Sequence, residues 1–159
     1  MRLPRPLIRI VLTALQSLRR LVWLVTGPKG NGVHAVPLTP EGKLVLVWLT
    51  YARGWRLPGG GRKRGESDEE GMLRELREEI GLLAHGPIER LPDSPGSRPG
   101  DRSAMFLVRD VAYRPRQSLE IEAVREFDPA DLPDEVIRST RETLGRLFPG
   151  EAGGPVPTA

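Results

Sequence analysis

Hydrophobic residues follow two different periods along this chain, and the change of period divides it. Between residues 7 and 25, apolar side chains recur every three or four positions, which predicts an amphipathic helix that ends at Gly27-Pro28. From Val33 onward, short runs of β-branched and aliphatic residues alternate with turns, and the run Lys43–Tyr51 is typical of a buried strand. The pattern therefore predicts a helix followed by a domain built largely from strands.

A second helical period lies inside the domain, over Ser67–Ile80. Ser67, followed three residues later by Glu70, matches a capping box, and Gly81 stands where a glycine ends a helix. Further predicted elements are strands at His85–Leu91, Ala104–Val111 and Leu119–Phe127 and a loop at Pro92–Asp101. A last helix is predicted over Asp131–Phe148, starting near Pro133 with Asp131 as a cap candidate. Strands mixed with helices in this way predict an α/β or α+β sandwich.

Composition narrows the domain organisation and the chemistry. A length of 159 residues fits one domain, and we divide the chain into a basic helix (1–28), the main domain (29–148) and a Gly- and Pro-rich tail (149–159) predicted to be disordered. The absence of cysteine excludes disulfide scaffolds, thiolate zinc sites and thiol catalysis, and it is compatible with a cytoplasmic location. The two histidines, His34 and His85, lack ligand-spaced partners and are predicted to be structural.

Charge is unevenly distributed along the chain. Six of its 24 basic residues lie in the first 40 positions, where there is no acidic residue, so the remaining positions carry 18 basic and 21 acidic side chains. The main domain is thus slightly acidic, and no extended contact with nucleic acid is expected. Arginines at positions 9, 19 and 20 interrupt the N-terminal helix and argue against a membrane span. Three partners for residues 7–25 stay open: the domain itself, a second copy in a homodimer, or an anionic membrane surface.

Three glutamates in the internal helix point to metal chemistry. Glu75, Glu78 and Glu79 have the spacing i, i+3, i+4, which places them on one face within one turn. Like charges this close destabilise a helix, and a divalent cation would reverse the sign of that effect. Carboxylate oxygens suit Mg²⁺ or Mn²⁺. Because glutamate- and arginine-rich helices are most often solvated surfaces, the helix alone does not decide the matter.

The spacing of the whole stretch around this helix is more specific. Gly60, Glu66, Arg74-Glu75-Leu76, Glu78-Glu79 and Gly81-Leu82 occupy every fixed position of the Nudix box, which spans Gly60–Leu82. The chain is thereby identified as resembling the Nudix hydrolases. Trp55–Gly60 and Glu126–Pro133 resemble further parts of that family, and the resemblance covers Gly32 to about Phe148. It implies an α/β/α sandwich with a mixed central sheet and hydrolysis of a diphosphate linkage in a nucleoside diphosphate derivative or related small molecule.

The resemblance also implies roles for individual residues. Metal ligands would be the carboxylates of Glu75, Glu78 and Glu79 and the backbone carbonyl of Gly59, with Mg²⁺ or Mn²⁺ as the cofactor. Arg74 would orient the helix carboxylates, and Glu66 would tie the loop to the helix. The general base would be a box glutamate or a later one, Glu120 or Glu122, of which Glu122 is favoured. The alternative function is a nucleotide-binding sensor module without turnover, associated with a membrane through its first helix.

Overall fold

The computed structural model describes residues 32–95, 100–115, 118 and 120–149. The predicted N-terminal helix and nearly all of the predicted tail lie outside these residues. No helix within the described ranges has the length and apolar character needed to cross a membrane.

The described residues form nine strands and two helices. In chain order they are β1 (Gly32–Pro37), β2 (Leu44–Leu49), β3 (Ala52–Arg56), β4 (Gly59–Gly61), α1 (Asp68–Glu79), β5 (Leu82–Ala84), β6 (Ile88–Pro95), β7 (Arg102–Val108), β8 (Ala112–Tyr113), β9 (Ile121–Phe127) and α2 (Arg138–Leu147). The larger sheet has the order β4-β1-β7-β6, with β1 and β7 parallel and the other pairs antiparallel. A second sheet, β3-β2-β9, is antiparallel, and β5 pairs with β8. The mixed sheet predicted from the resemblance is confirmed.

Side chains of successive residues in the buried strands pack alternately into two separate hydrophobic cores. In β2, Val45 and Val47 pack into one core, whereas Leu44 and Leu46 pack into the other. The first core contains the buried apolar side chains of α1, which are Met72 and Leu76, with Ile80 just beyond the helix. The second core contains Leu144 of α2. The two helices therefore cover opposite faces of the strands, as an α/β/α sandwich requires.

The internal helix begins and ends as its sequence predicts. The Ser67 hydroxyl accepts a hydrogen bond from the Glu70 amide (3.1 Å), and the Glu70 carboxylate accepts one from the Ser67 amide (2.7 Å), which completes the capping box. Gly81 has a φ of 72°, and a side chain there would collide with the carbonyl oxygen of Arg114. These local signals fix the position of the helix that carries the three glutamates.

The last helix is shorter than predicted. It begins at Arg138 after Ile137, which makes no side-chain cap, so the prediction of a helix from Asp131 is wrong. The preceding segment pairs with β3 instead: the Trp55 amide donates to the Glu135 carbonyl (2.9 Å), and the Ile137 amide donates to the Trp55 carbonyl (3.0 Å). This long-range pairing satisfies backbone groups that a helix would otherwise have used.

The prediction of a loop over Pro92–Asp101 is also partly wrong. Strand β6 continues to Pro95, and its last residues pair with β7, with Pro95 opposite Arg102. Pro92 and Pro95 are tolerated because β6 forms the edge of the larger sheet, and the register shifts between Leu91 and Ser94. The pattern also gave no indication of β8, a two-residue strand.

Candidate active site

The glycine strand β4 lies against the carboxylates of α1. The Gly59 amide donates a hydrogen bond to Oε2 of Glu79 (2.8 Å), which joins the strand to the end of the helix. A Cβ atom at Gly60 would lie 2.7 Å from the carboxyl carbon of Glu75, and one at Gly59 would collide with the Val33 carbonyl oxygen. Glycine at position 60 therefore lets the backbone approach the Glu75 carboxylate closely, and glycine at position 59 lets it approach β1.

Arg74 connects the loop that precedes the helix to the helix carboxylates. Its Nε donates to Oε1 of Glu66 (2.8 Å), its Nη1 to Oε1 of Glu75 (2.7 Å), and its Nη2 to the Gly61 carbonyl (2.8 Å). Glu66 also accepts from the Lys63 amide (2.8 Å). These bonds, first from Arg74 and then from Lys63, lower the pKa of Glu66 to about 2. Arg74 thus fixes the orientation of Glu75, and Glu66 ties the loop to the helix.

Glu79 and Glu75 are carboxylates held largely away from water. Burial raises the pKa of Glu79 to about 8, and the nearby charges of Glu75, Glu120 and Glu78 act in the same direction against the Gly59 amide. The pKa of Glu75 is also raised, first by burial and then by Glu78 and Glu120, although Arg74 opposes the shift. Both pKa shifts express mainly the cost of removing a negative charge from water, and the repulsion between neighbouring glutamates adds to it.

The third box glutamate is placed differently. The side chain of Glu78 is 54% exposed, against 13% for Glu75, and it lies 3.7 Å from the Lys63 ammonium and 3.5 Å from Arg74. On the expected common face, Glu79 is buried, Glu75 is largely shielded from solvent, and Glu78 lies at the exposed edge.

The two later glutamates are separated by the structure. Glu120 precedes β9, and its charge acts on both Glu75 and Glu79. Glu122 is exposed on β9 and is not among the charges that shift either pKa. Of the two, Glu120 is the one that the fold brings to the box carboxylates, whereas periodicity could not distinguish them.

The carboxylate oxygens of Glu75 and Glu79 are suitable ligands for a divalent cation. The buried oxygens of Glu75 and Glu79 are hard donors of the kind that Mg²⁺ and Mn²⁺ prefer, and a positive charge would remove the repulsion between them. Within the described residues, no three acidic or histidine side chains are already grouped as a complete ligand set. Glu78 would complete such a set only by leaving Lys63.

A pH effect on stability follows from Glu79. Its pKa is about 8 in the folded chain, against 4.5 for an ordinary glutamate, so between these values the folded state binds more protons than the unfolded state. Without divalent metal, we expect the melting temperature to fall by several degrees as the pH rises from about 6.5 to about 8, because below 6.5 the lowered pKa of His34 has the opposite effect. Calorimetry in the presence of a chelator would measure this, and Glu79→Gln should flatten the profile. A wild-type profile as flat as that of the variant would contradict the raised pKa of Glu79.

One residue next to the site was predicted to be only structural. His34 pairs with Gly59 across β1 and β4, and its Nδ1 lies 2.7 Å from the Ser103 hydroxyl. Burial and then the charge of Arg56 lower the pKa of His34 to about 4, so the ring is neutral. No sequence pattern links positions 34, 59 and 103, because only strand pairing brings them together. By contrast, Trp55 lies in the second core, away from the carboxylates.

Comparisons with known proteins agree with this geometry. The family model described as "NUDIX domain" matches residues 28–148. Two curated relatives named RNA pyrophosphohydrolase are similar over short stretches: 38% identity over 50 residues with that of Hahella chejuensis (strain KCTC 2396), 31% of each chain, and 36% over 53 residues with that of Marinomonas sp. (strain MWYL1), 33% of each chain. These matches span about a third of the length of either relative.

A solved structure gives a more extensive match. The MutT NUDIX hydrolase from Burkholderia pseudomallei is 26% identical, with a TM-score of 0.58, and the match covers 74% of this chain and 96% of that one. The similarity thus extends over most of the region that the family model covers.

Proposed function

The chain belongs to the Nudix family, and from this premise we propose that it is a metal-dependent hydrolase that cleaves a diphosphate linkage in a nucleoside diphosphate derivative or related small molecule. One observation carries the proposal. Glu75 and Glu79 lie buried as a pair behind the glycines of β4, and the raised pKa of each reflects an unfavourable position that a divalent cation would relieve.

The chain's own residues contribute position and charge. The Gly59 amide orients Glu79, and Arg74 orients Glu75 through a short hydrogen bond. Glu75, Glu78, Glu79 and the Gly59 carbonyl would hold the cation, which the family generally uses and which would neutralise charge on the diphosphate.

The proton of the attacking water needs an acceptor. We propose Glu120 for this role in preference to Glu122, because its charge reaches both buried glutamates. In this step a water oxygen bonds to phosphorus, the bond between phosphorus and the bridging oxygen breaks, and the water proton passes to the Glu120 carboxylate. The bridging oxygen leaves with the departing phosphate group.

A second candidate function is a nucleotide-binding module without turnover. It is favoured by the placement of Glu78, which pairs with Lys63 and Arg74 at the edge of the buried pair. A sensor would bind a nucleotide and release it unchanged, so product analysis distinguishes the two functions.

Substrate identity is proposed only as a class. The relatives' name suggests the 5′ end of RNA, but the net negative charge of residues 41–159 disfavours long contacts with a polynucleotide. The first experiment is therefore product chromatography with Mg²⁺ or Mn²⁺ on nucleoside triphosphates, nucleotide sugars, ADP-ribose, dinucleotides and a short 5′-triphosphorylated RNA. Metal-dependent products from a small nucleotide would support the proposal. Binding without any product would favour the sensor.

The proposals for the rest of the chain concern location and assembly. A cytoplasmic location, a homodimer and peripheral membrane contact through residues 7–25 remain predictions. Co-sedimentation with anionic liposomes, compared between the full chain and a chain that starts at Lys29, tests the lipid contact. Equal recovery of both in the supernatant would contradict it.

A further inference from the structure

The connection that leads into the glycine strand is held by the last helix. Leu57 and Pro58 join β3 to β4 and belong to neither strand. Leu57 is buried, and its amide donates a hydrogen bond to Oγ1 of Thr140 (3.3 Å), which lies in the first turn of α2 and 83 positions away in sequence. Thr140 is 4% exposed, so this bond lies in the interior. A side chain of α2 thus satisfies a buried backbone group next to the site.

The next two residues connect this bond to the carboxylates. The Pro58 carbonyl accepts from the Ala35 amide (3.0 Å), and the Gly59 amide donates to Glu79 (2.8 Å). Proline fixes one of its two backbone dihedrals, and a Cβ atom at Gly59 would collide with the backbone of β1. Because the connection is stiff and tightly packed, a displacement of Leu57 is passed on to Gly59.

The strand that precedes this connection is held to the same part of the chain. The Trp55 amide donates to the Glu135 carbonyl (2.9 Å), and the Ile137 amide donates to the Trp55 carbonyl (3.0 Å). Side-chain substitution leaves these main-chain bonds in place, whereas the bond to Leu57 depends on the hydroxyl of Thr140. One hydroxyl group therefore decides whether α2 holds the residue that lies two positions before Gly59.

We propose that Thr140 is a positioning residue for the carbonyl of Gly59. Its hydroxyl fixes Leu57 and, through Pro58, sets where Gly59 lies relative to Glu79. This inference rests on the proposed function, which gives the Gly59 carbonyl to the cation, and it deepens that function by assigning part of the site to α2, outside the box. A residue that holds a ligand in place without touching the metal contributes to metal affinity.

Two measurements on the full chain test this role without substrate. The first is the amide resonance of Gly59 in metal-free protein, and the second is the dissociation constant of Mn²⁺, obtained by electron paramagnetic resonance. In Thr140→Val, which removes the hydroxyl at nearly constant size, we expect the Gly59 resonance to shift and the Mn²⁺ affinity to fall by about 10-fold. Thr140→Ser keeps the hydroxyl and should stay close to the wild type in both. Thr140→Ala is a second variant without the hydroxyl, in which no methyl group presses on the Leu57 amide, and it should behave as the valine variant.

The matched control lies one turn further along the same helix. The Thr143 hydroxyl donates to the Ser139 carbonyl within α2 (3.0 Å), so Thr143→Val should leave the Gly59 resonance and the Mn²⁺ affinity unchanged. A lower Tm in Thr140→Val with an unchanged resonance and affinity would show a purely structural role and overturn the proposal, as would an equal loss of affinity in Thr140→Ser. A wild type that binds no Mn²⁺ contradicts the proposed metal site, and the Gly59 resonance in the variants then decides alone whether Thr140 positions this glycine.

Discussion

Replacing Glu79 by glutamine is expected to lower metal-dependent hydrolysis by roughly 10³-fold. The amide has the size of the carboxylate and an oxygen that still accepts from the Gly59 amide, so the strand stays joined to the helix. It removes the negative charge that a divalent cation requires. Turnover measured by product chromatography at saturating metal checks the effect.

Stability should move in the opposite direction to activity in this variant. Burial raises the pKa of Glu79 to about 8, so its charged form is unfavourable in the folded chain, and a neutral amide relieves that cost. We expect an unchanged or higher Tm at pH 8 without metal. Glu69→Gln, an exposed position in the first turn of the same helix, is the control and should leave both quantities unchanged. Wild-type turnover in Glu79→Gln would remove this residue from the active site.

Arg74→Met is expected to damage both folding and activity. The guanidinium bonds Glu66, Glu75 and the Gly61 carbonyl at once, and methionine supplies none of these bonds, so Glu75 loses its partner and Glu66 keeps only the Lys63 amide. We expect a Tm lower by roughly 5–10 °C and turnover lower by about 10²-fold at a temperature where the chain stays folded. Thermal unfolding followed by circular dichroism, with assays well below the Tm, measures the two effects separately.

The control for this variant lies on the same helix. Arg77→Met removes an exposed guanidinium from the last turn, where it lies outside the carboxylate cluster, and it should change Tm by little. Arg74→Lys should recover the charge but not the forked geometry, so it should remain closer to the methionine variant than to the wild type. If Arg74→Lys proves fully active, charge alone is sufficient and the orienting role is contradicted.

Local sequence signals were sufficient for the helix that carries the site. The capping box at Ser67 and the glycine at position 81 act over three or four residues, and both have the predicted geometry. The last helix could not be located in the same way. Its start was predicted near Asp131, but residues 135–137 form backbone hydrogen bonds with Trp55, about 80 positions away in sequence, and the helix begins only after them.

The candidate site shows the same division. The spacing of Arg74 and Glu75 was readable because their relation lies within one helix. Periodicity placed Glu78 with its neighbours, but the structure leaves it exposed at the edge of the site, 3.7 Å from Lys63. Glu120 and Glu122 differ in that Glu120 precedes β9 and Glu122 lies on it, and only the fold shows which of them acts on Glu79. The contact of His34 with Gly59 likewise depends on strand pairing. Side chains that are brought together only by the pairing of distant strands have no regular spacing in the sequence.

The strand order has a consequence for how this chain reaches its native state. β1 acquires its parallel partner only when residues 103–108 arrive, and β2 acquires β9 only with residues 121–127. A chain emerging from the ribosome will therefore have made the whole glycine strand and glutamate helix before either sheet can close. Such non-local pairing gives a high contact order, so folding is expected to be slow and to occur largely after synthesis has passed β9. Until then the apolar β2, whose six residues are mostly buried in the finished fold, is exposed to association with other chains.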